Sequence, residues 1–181
     1  MAKRKSITQE YVRLILNYDS DTGIFIWLTR PLEHFKNQHG CNIWNSKNSG
    51  KIAGSIDPDG YRVIRINGSG WFAHRLAFLY VYGWLPDEVD HMNNNGNKDD
   101  NRICNLRAAT TSQNQANRKI SKNNKVGLKG VFFNKPNKKW TARITVNQKS
   151  ISLKYYDCPA AAHFAYQIAS DKYFGKYSRI F

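Results

Sequence analysis

The stretch that decides the fold runs from Val89 to Asn114 and has the sequence VDHMNNNGNKDDNRICNLRAATTSQN. It begins with an adjacent acid and histidine, Asp90-His91, and continues into an asparagine-rich loop that is too polar for an apolar core. A short run at residues 103–109 is expected to enter a second strand, and the TTSQ run from Thr110 predicts a capping box at a helix start. An acid, a histidine and two spaced asparagines in so short a segment predict a hydrolytic metal site.

The expected geometry of this segment brings its polar residues together. Adjacent side chains on a regular strand point to opposite faces, so Asp90 and His91 can serve one site only at a strand end, where the sequence places them. Asn114 falls on the first turns of the predicted helix, which extends to about Arg118. A strand, loop, strand and helix would then bring Asp90, His91 and Asn114 to one point.

The positive charge of the chain is concentrated in its second half. The 181 residues carry a formal net charge of +15 with a pI of about 9.9, which predicts a polyanionic partner. Residues 115–181 hold 14 Lys and Arg against two acids, whereas residues 1–114 hold 14 against 11. Because the near-neutral half contains the predicted metal site, the sequence indicates a division between chemistry and binding.

Composition sets further bounds on the class of protein. With 41% hydrophobic and 13% aromatic residues the chain can bury a core, and its length allows one domain or two small ones. Cys41, Cys104 and Cys158 are far apart and predict neither a zinc ribbon nor a disulfide framework. Neither a signal peptide nor a membrane span is evident in the sequence. We therefore expect a cytoplasmic protein in a reducing compartment, without a membrane partner.

Hydrophobic periodicity and turn signals predict a mixed lead-in before the metal segment. Thr8 is a helix-cap signal, Asn67-Gly68 is a hairpin-turn signal, and Gly83 is expected to end the second helix. For His74, at the start of that helix, a structural role is favoured over a DNA contact. The predicted elements are a helix over residues 8–18, strands over 24–27, 61–66 and from 71, and a buried helix over 74–82.

Residues 30–51 form a polar segment between the first strands. A solvated loop is the favoured interpretation of this segment. His34, His39 and Cys41 suggest a metal site as an alternative, which the absence of an evident fourth ligand disfavours.

The C-terminal part predicts a separate small unit after a polar, basic linker at residues 121–125. Three strands are expected over 130–133, 139–146 and 150–156, followed by a helix over Pro159–Tyr173 whose alanine-rich face would lie close on the sheet. The other face of the sheet would then be free. Basic and aromatic side chains on or beside these strands suit a sheet that lies in a DNA groove. They are Lys139, Trp140, Arg143, Lys149 and Lys154.

Two parts of the chain resemble known families. Asp90-His91, Asp100-Asn101-Arg102, Asn105-Leu106-Arg107 and Asn114 together resemble the HNH endonucleases of the phage and intron-encoded homing type. Gly130-Val131, Lys139 to Ile144, Tyr156-Asp157 and Ala160 to Ala162 resemble an AP2-type DNA-binding domain, which is often fused to such nucleases. The two resemblances cover nearly the whole chain.

The resemblances imply an α+β fold with two domains. A ββα-metal nuclease core, with a lead-in of strands and helices, is expected over residues 1–120, with its core motif at 89–118. Residues 121–125 form the expected linker. An AP2-like domain, a small three-stranded sheet with one helix, is expected over residues 126–181.

The HNH resemblance also implies residue roles. His91 would be the general base that activates water, and Asn105 would orient His91 or brace its loop. Asp90 and Asn114 would bind one divalent cation, with Mg²⁺ expected and Mn²⁺ as an alternative, because carboxylate and amide oxygens prefer hard cations. Many members of the family carry His at the position of Asn114, so this residue is a variation on the pattern. The residues predicted to contact DNA are Arg75, Arg102, Arg107, Lys129, Lys139, Trp140, Arg143, Lys149 and Lys154.

The sequence thus predicts a metal-dependent endonuclease that acts on double-stranded DNA without a small-molecule cofactor, as a monomer or weak dimer. An unperturbed histidine, with a pKa of about 6.5, suits the role of base near neutral pH. Two alternatives stay open: a DNA-binding regulator whose nuclease half has lost activity, and RNA as the substrate, since phosphate neutralisation is common to both nucleic acids. In the AP2-like part, Lys154 stands where such domains often have Gly, which leaves the local DNA contact open.

Overall fold

The computed structural model describes residues 7–93, 96–121 and 123–180. Asn94 and Asn95 of the predicted asparagine-rich loop, and Lys122 of the predicted linker, lie outside the described residues. The chain divides into two compact units, Met1–Ala108 and Ala109–Phe181. The functional boundary expected at residues 121–125 is a different division and stays a prediction.

The first unit combines helices with short strand pairs around one apolar core. In the part of the chain that the structure describes, its elements are α1 (Gln9–Ile15), β1 (Leu16–Tyr18), β2 (Phe25–Trp27), α2 (Gln38–Asn48), β3 (Ser55–Ile56), β4 (Arg62–Ile66), β5 (Ser69–Phe72), α3 (Ala73–Tyr82), β6 (Glu88–His91) and β7 (Leu106–Ala109). β1 pairs antiparallel with β2, β3–β4–β5 form an antiparallel sheet in that order, and β6 pairs with β7. This mixture of helices and small sheets agrees with the predicted α+β class.

The core of the first unit takes one face from each of its main elements. Val12 of α1, Phe25 of β2, Ile64 of β4 and Leu76 of α3 are completely buried. Across the described residues, no helix has the length and apolar character needed to cross a bilayer.

The β4–β5 hairpin and α3 form where the sequence predicts them. Asn67 and Gly68 both have positive φ, at 49° and 77°, which suits the two-residue turn of a right-twisted hairpin. Gly83 ends α3 in the left-handed conformation, with φ 78°, and its N–H donates to the carbonyl of Leu79. Local turn chemistry therefore sets these boundaries.

The first helix is shorter than predicted. Thr8 caps it as expected, because its side chain accepts a hydrogen bond from the N–H of Tyr11. The helix ends at Ile15, however, and Leu16–Tyr18 forms β1 in place of a last helical turn. Antiparallel pairing with β2 satisfies the backbone groups there, and Leu16 is completely buried.

The segment at residues 30–51, predicted as a solvated loop, contains α2. Asn37 caps this helix by accepting a hydrogen bond from the N–H of Gly40 at 2.8 Å. On its inner face, Asn45 Nδ2 donates to the carbonyl of Arg30 while Asn45 Oδ1 accepts from the Arg30 N–H, each at 2.9 Å. The loop prediction was wrong because polar contacts hold this helix. A helix held in this way needs no apolar stripe, so hydrophobic periodicity does not reveal it.

The second unit contains a three-stranded sheet covered on one face by a helix, as predicted. Its elements in the described residues are α4 (Thr111–Ala116), β8 (Val131–Asn134), β9 (Lys139–Val146), β10 (Lys149–Tyr156) and α5 (Pro159–Phe174). The strands are antiparallel in the order β10–β9–β8. Ala162 and Ala169 of α5 are buried, and these small side chains let the helix approach Ala142 and Ile144 of β9 closely.

The helix that carries Asn114, α4, folds as part of the second unit. The predicted capping box is present, since Gln113 Oε1 accepts from the Thr110 N–H at 2.8 Å and Thr110 Oγ1 accepts from the Gln113 N–H at 3.2 Å. Ala116 at the end of α4 is buried in the core of this unit. Ser112 Oγ accepts from the N–H of Asn147, in the turn between β9 and β10, at 3.0 Å. The C-terminal sheet therefore supports α4.

The turn at Gly23 packs closely against the backbone at Asn101 and Arg102. A Cβ at Gly23 would lie 2.5 Å from Arg102 N and 2.6 Å from Asn101 C, and its φ is +75°. Gly50 has a similar φ of +77° but open space around it. We expect Gly50→Ala to cost about 1–2 kcal/mol for the left-handed conformation alone. Gly23→Ala should cost about 1–3 kcal/mol more, because the backbone at Asn101 must shift.

Urea unfolding of the two glycine variants checks this expectation. The comparison removes the conformational cost that both substitutions share. Equal destabilisation by Gly23→Ala and Gly50→Ala would show that the close approach at Gly23 does not matter.

Candidate active site

The predicted acid–histidine pair lies at the end of β6, as the sequence predicts. Asp90 is 4% exposed, and Arg107 of β7 binds its carboxylate: Nε and Nη2 both approach Oδ2, at 2.8 and 2.7 Å. The Arg107 side chain is itself only 12% exposed. This ion pair crosses from β6 to β7 and fixes the carboxylate next in sequence to His91.

His91 lies half-buried against other rings. Its ring centroid is 5.0 Å from that of His74 and 6.2 Å from that of Tyr61. Burial lowers the pKa of His91, while the Asn101 side chain and nearby carboxylates oppose that shift. The neutral imidazole, which is the form that accepts a proton, is therefore favoured near neutral pH.

Asn105 closes the loop that follows His91. Its Oδ1 accepts a hydrogen bond from the N–H of Asn93 at 2.7 Å, and its Nδ2 donates to the carbonyl of Asp100 at 2.8 Å. Its own carbonyl accepts from the N–H of Met92 at 2.8 Å. One buried asparagine thus joins both ends of the loop, and its predicted role beside His91 stays a prediction.

Asn101 is a second buried asparagine beside His91. It is 1% exposed, its Nδ2 donates to the carbonyl and to Oδ1 of Asp99 at 3.0 and 3.1 Å, and its carbonyl accepts from the Tyr18 hydroxyl at 2.6 Å. Arg62 in turn donates to both carboxylate oxygens of Asp99, at 2.9 and 2.7 Å. The Asn101 side chain also opposes the lowering of the His91 pKa by burial. Sequence reasoning used Asn101 only as part of a motif, because its burial is invisible in a polar stretch.

Asp100 and Arg102 form the outer part of this loop. Arg102 donates through Nε and Nη2 to the two oxygens of Asp100, at 2.7 Å each, and this pairing lowers the pKa of Asp100. Asn93 Nδ2 also donates to Asp100 at 2.7 Å. Asp100 thus links Asn93 to Arg102 through polar contacts.

The three arginines of the first unit that were predicted to contact DNA all have protein partners. Arg102 binds Asp100 and Arg107 binds Asp90, as described above, while Arg75 donates to the carbonyls of Pro86 and Asp87 at 3.1 and 3.0 Å. Arg102 keeps 48% of its side chain exposed, whereas Arg107 keeps 12%. Their DNA contacts stay predictions, and Arg102 has the better access to a phosphate of these two.

Lys129, also predicted to contact DNA, is engaged inside the second unit. Its Nζ donates to three backbone carbonyls, those of Ala116 at 2.5 Å and of Arg118 and Arg179 at 2.8 Å. An ammonium group has three N–H donors, so these bonds use all of them. Burial lowers the pKa of Lys129 to about 8. The geometry favours a structural role at the end of α4, and the DNA contact stays a prediction.

Alternation along β9 separates the two faces of the C-terminal sheet. Ala142 and Ile144 face α5, so Lys139 and Arg143 lie on the opposite face. The Arg143 guanidinium lies over the ring of Phe132 at 5.0 Å, and Lys139 pairs with the exposed Asp157 at 2.9 Å. Trp140 packs against the core on the helix side, and its predicted DNA contact stays a prediction. Lys149 and Lys154 are exposed.

The alternative metal site at His34, His39 and Cys41 finds no support. Within the described ranges, no group of three or more His, Cys, Asp or Glu side chains could hold a metal ion. His34 Nδ1 instead accepts a hydrogen bond from Arg30 Nε at 3.2 Å, and Cys41 lies buried against the Arg30 carbonyl. This segment has a structural explanation.

The predicted cation ligands, Asp90 and Asn114, offer one carboxylate and one amide oxygen. Hard oxygen donors of this kind suit Mg²⁺. Asp90 shares its carboxylate with Arg107 in the first unit, and Asn114 lies on α4 in the second, where its N–H donates to the Thr110 carbonyl at 2.9 Å. The donor chemistry fits a divalent cation, and the ligand roles stay predictions.

One comparison with known proteins bears on this segment. A model of the HNH endonuclease family matches residues 72–116. The matched segment contains Asp90, His91, Asn105 and Asn114, and it spans about a quarter of the chain. Comparisons with curated proteins and with solved structures found no match. The match supports an HNH nuclease domain, and HNH nucleases generally use a divalent metal ion.

His74 lies in the core beside His91. It is 8% exposed and stacks on Phe72, with ring centroids 5.4 Å apart. Burial lowers the pKa of His74 to about 3, with His91 as a further cause. This burial agrees with the structural role that the sequence favours.

We expect His74 to make the folded protein sensitive to acid. Below pH 6.5 the unfolded chain takes up a proton at His74, whereas the native chain does so only near pH 3. The contribution of His74 to the free energy of unfolding is therefore complete above pH 6.5 and is lost as the pH falls towards 3. Replacing it by a neutral amide, His74→Gln, should remove that part of the sensitivity. The stability advantage of the wild type over the variant should shrink by about 3 kcal/mol between pH 7 and pH 4. Urea unfolding at both pH values measures it, and a constant difference would contradict it.

We expect Asn101 to position His91. Asn101→Ala should lower the cleavage rate by about 10- to 100-fold, which is usual for a residue that positions a catalytic group, with little change in DNA affinity. In the His91→Ala background the same substitution should have almost no further effect on cleavage, because it acts through the imidazole. Single-turnover cleavage of the four proteins of this cycle is the measurement. Additive losses in the double variant would assign Asn101 a general structural role instead.

Proposed function

We propose that this chain is a metal-dependent endonuclease that hydrolyses phosphodiester bonds in double-stranded DNA. His91 is the general base, Asn105 braces its loop, and Asp90 and Asn114 bind one divalent cation, with Mg²⁺ favoured over Mn²⁺. The observation that carries the proposal is the position of His91: it ends β6 inside the segment that matches the HNH endonucleases, and its burial favours the neutral base.

The chemistry of the proposed site follows from its polar network. The imidazole of His91 takes a proton from the attacking water, and it starts neutral because burial disfavours its charged form. The Asn105 hydrogen bonds to Asn93 and Asp100 limit the movement of the loop after His91, so the base needs little reorganisation. When bound, a divalent cation supplies the positive charge that stabilises the phosphate in the transition state.

We further infer that the second unit is an AP2-like module that holds DNA. Its sheet and helix have the predicted arrangement, and the face opposite α5 presents Lys139 and Arg143 beside Phe132. Residues 115–181 hold 14 Lys and Arg against two acids, so this half supplies most of the attraction to phosphate. The resemblance also suggests a homing-type enzyme of a phage or mobile element, acting in the cytoplasm of the host cell.

A single HNH site hydrolyses one strand at a time, so a monomer or weak dimer would more readily nick DNA. Double-strand cleavage would need a dimer or two successive events. This expectation follows because the proposed site has one base, His91, and one cation, bound by Asp90 and Asn114.

Nicking of a supercoiled plasmid tests the proposal. The plasmid should carry the DNA that flanks the gene of this protein, and Mg²⁺ should be required for cleavage. His91→Ala should slow conversion to the open circle by about 10²- to 10⁴-fold, because it removes the general base. The variant should still bind the same DNA in EDTA with wild-type affinity, which serves as the control for folding.

The other outcomes separate the alternatives. Cleavage that His91→Ala leaves unchanged would remove the proposed mechanism. Tight binding without cleavage by the wild type, in Mg²⁺ or Mn²⁺, would favour a DNA-binding regulator. Stronger competition by structured RNA than by duplex DNA would make RNA the preferred substrate.

A further inference from the structure

α2 presents a surface that the proposed roles do not use. Its exposed residues are Gln38, His39, Asn42, Ile43, Ser46 and Lys47. None of these carries a negative charge, and residues 34–56 contain three lysines and no Asp or Glu. Lys36, Lys47 and Lys51 are all exposed, so the surface on and beside α2 is locally basic.

The composition of α2 is poor for a helix. Within eleven residues it contains one glycine, three asparagines, a serine and a cysteine, all of low helix propensity. A helix of this length would not persist by itself in water. Something other than local preference must therefore hold α2 in place.

Arg30 provides this anchor. It is 8% exposed, and its guanidinium lies over the rings of Phe35 and Trp44, at 5.3 and 5.0 Å. Its Nη2 donates to the Tyr11 hydroxyl and to Asn67 Oδ1, at 3.2 Å each. In the described part of the chain these partners are neutral, and burying a cation without an anion is costly. Two ring contacts and hydrogen bonds to neutral acceptors therefore hold Arg30 beside α2.

The outer face of α2 has the shape and chemistry of a groove-binding helix. Eleven residues span about 16 Å, and a helix fits the major groove of B-DNA. Gln38 and Asn42 lie one turn apart, and Gln38 Nε2 donates to Asn42 Oδ1 at 2.7 Å. Carboxamides match the N6 and N7 edge of adenine, and an apolar side chain such as Ile43, 54% exposed, matches the thymine methyl.

We propose that α2 is a second DNA-contacting element, which lies in the major groove at A·T base pairs. Asn42 and Gln38 contact adenine, Ile43 contacts thymine, and Lys47 binds a phosphate. The proposal rests on the proposed function only in that DNA is the partner. Duplex RNA does not suit this surface, because its major groove is too narrow for a helix.

Binding experiments on the full chain test the proposal without any need for cleavage. The wild type, in EDTA, selects preferred duplexes from a random-sequence library. The wild type should bind these duplexes more tightly than variants with one A·T pair changed to G·C in the contacted step, and Asn42→Ala should reduce that affinity ratio by at least about tenfold. Replacing the contacted adenine by 7-deazaadenine should weaken the wild type and leave Asn42→Ala unaffected. Asn17→Ala, an exposed asparagine on β1, is the matched control and should behave as the wild type.

Lys47→Gln tests the phosphate contact. It should weaken binding to all duplexes alike and reduce the slope of log K against log salt by about one. Unchanged selectivity in Asn42→Ala and Gln38→Ala, or an unchanged salt slope in Lys47→Gln, would overturn the proposal. If the α2 variants lose selectivity but the wild type never nicks DNA, α2 is a DNA contact and the nuclease proposal fails. If the wild type nicks DNA and all α2 variants keep its selectivity, the nuclease proposal stands and the α2 proposal fails.

Discussion

The hydrogen bonds of the Asn105 carboxamide are the constraint on which the polar centre of the first unit depends. The loop between His91 and Asn105 is rich in Asn and Asp and has little apolar surface with which to fold. Its shape therefore comes from bonds at its ends: Asn105 joins Asn93 to Asp100. Together with the bond from the Met92 N–H to the Asn105 carbonyl, this closure fixes the chain after the strand end that carries Asp90 and His91.

A second set of contacts extends this constraint from the sheet to the histidine. Arg62 on β4 holds Asp99, Asp99 holds the Asn101 amide, and that amide acts on His91. The Arg62, Asp99 and Asn101 side chains are joined by hydrogen bonds, and connected polar contacts of this kind make a buried site more rigid. Gly23 matters for the same reason, since only a glycine lets its turn approach the backbone of Asn101.

The parts of the fold that the sequence predicts correctly are those decided by local chemistry. The Asn67-Gly68 turn, the Gly83 helix end and the Thr110 capping box each depend on a few adjacent residues. The sequence does not reveal α2, because its anchor is a buried arginine with polar and aromatic partners distant in sequence. For the same reason the spacing singles out Asp90 and His91 as candidates but not the buried Asn101, whose partners, Tyr18 and Asp99, do not show in a polar stretch.

The division between chemistry and binding is less simple than the charge distribution suggests. α4 carries Asn114, yet its contacts belong to the C-terminal unit. Ala116 is buried in the core of that unit and Ser112 accepts a hydrogen bond from its sheet. Lys129 binds the carbonyls at the end of α4. Removing the basic half would take away both its positive charge and the support of α4. A truncated chain that failed to cleave would therefore not show whether charge or helix support was lost. A single substitution on the outer face of the sheet, such as Arg143→Gln, changes the charge while α4 keeps its contacts.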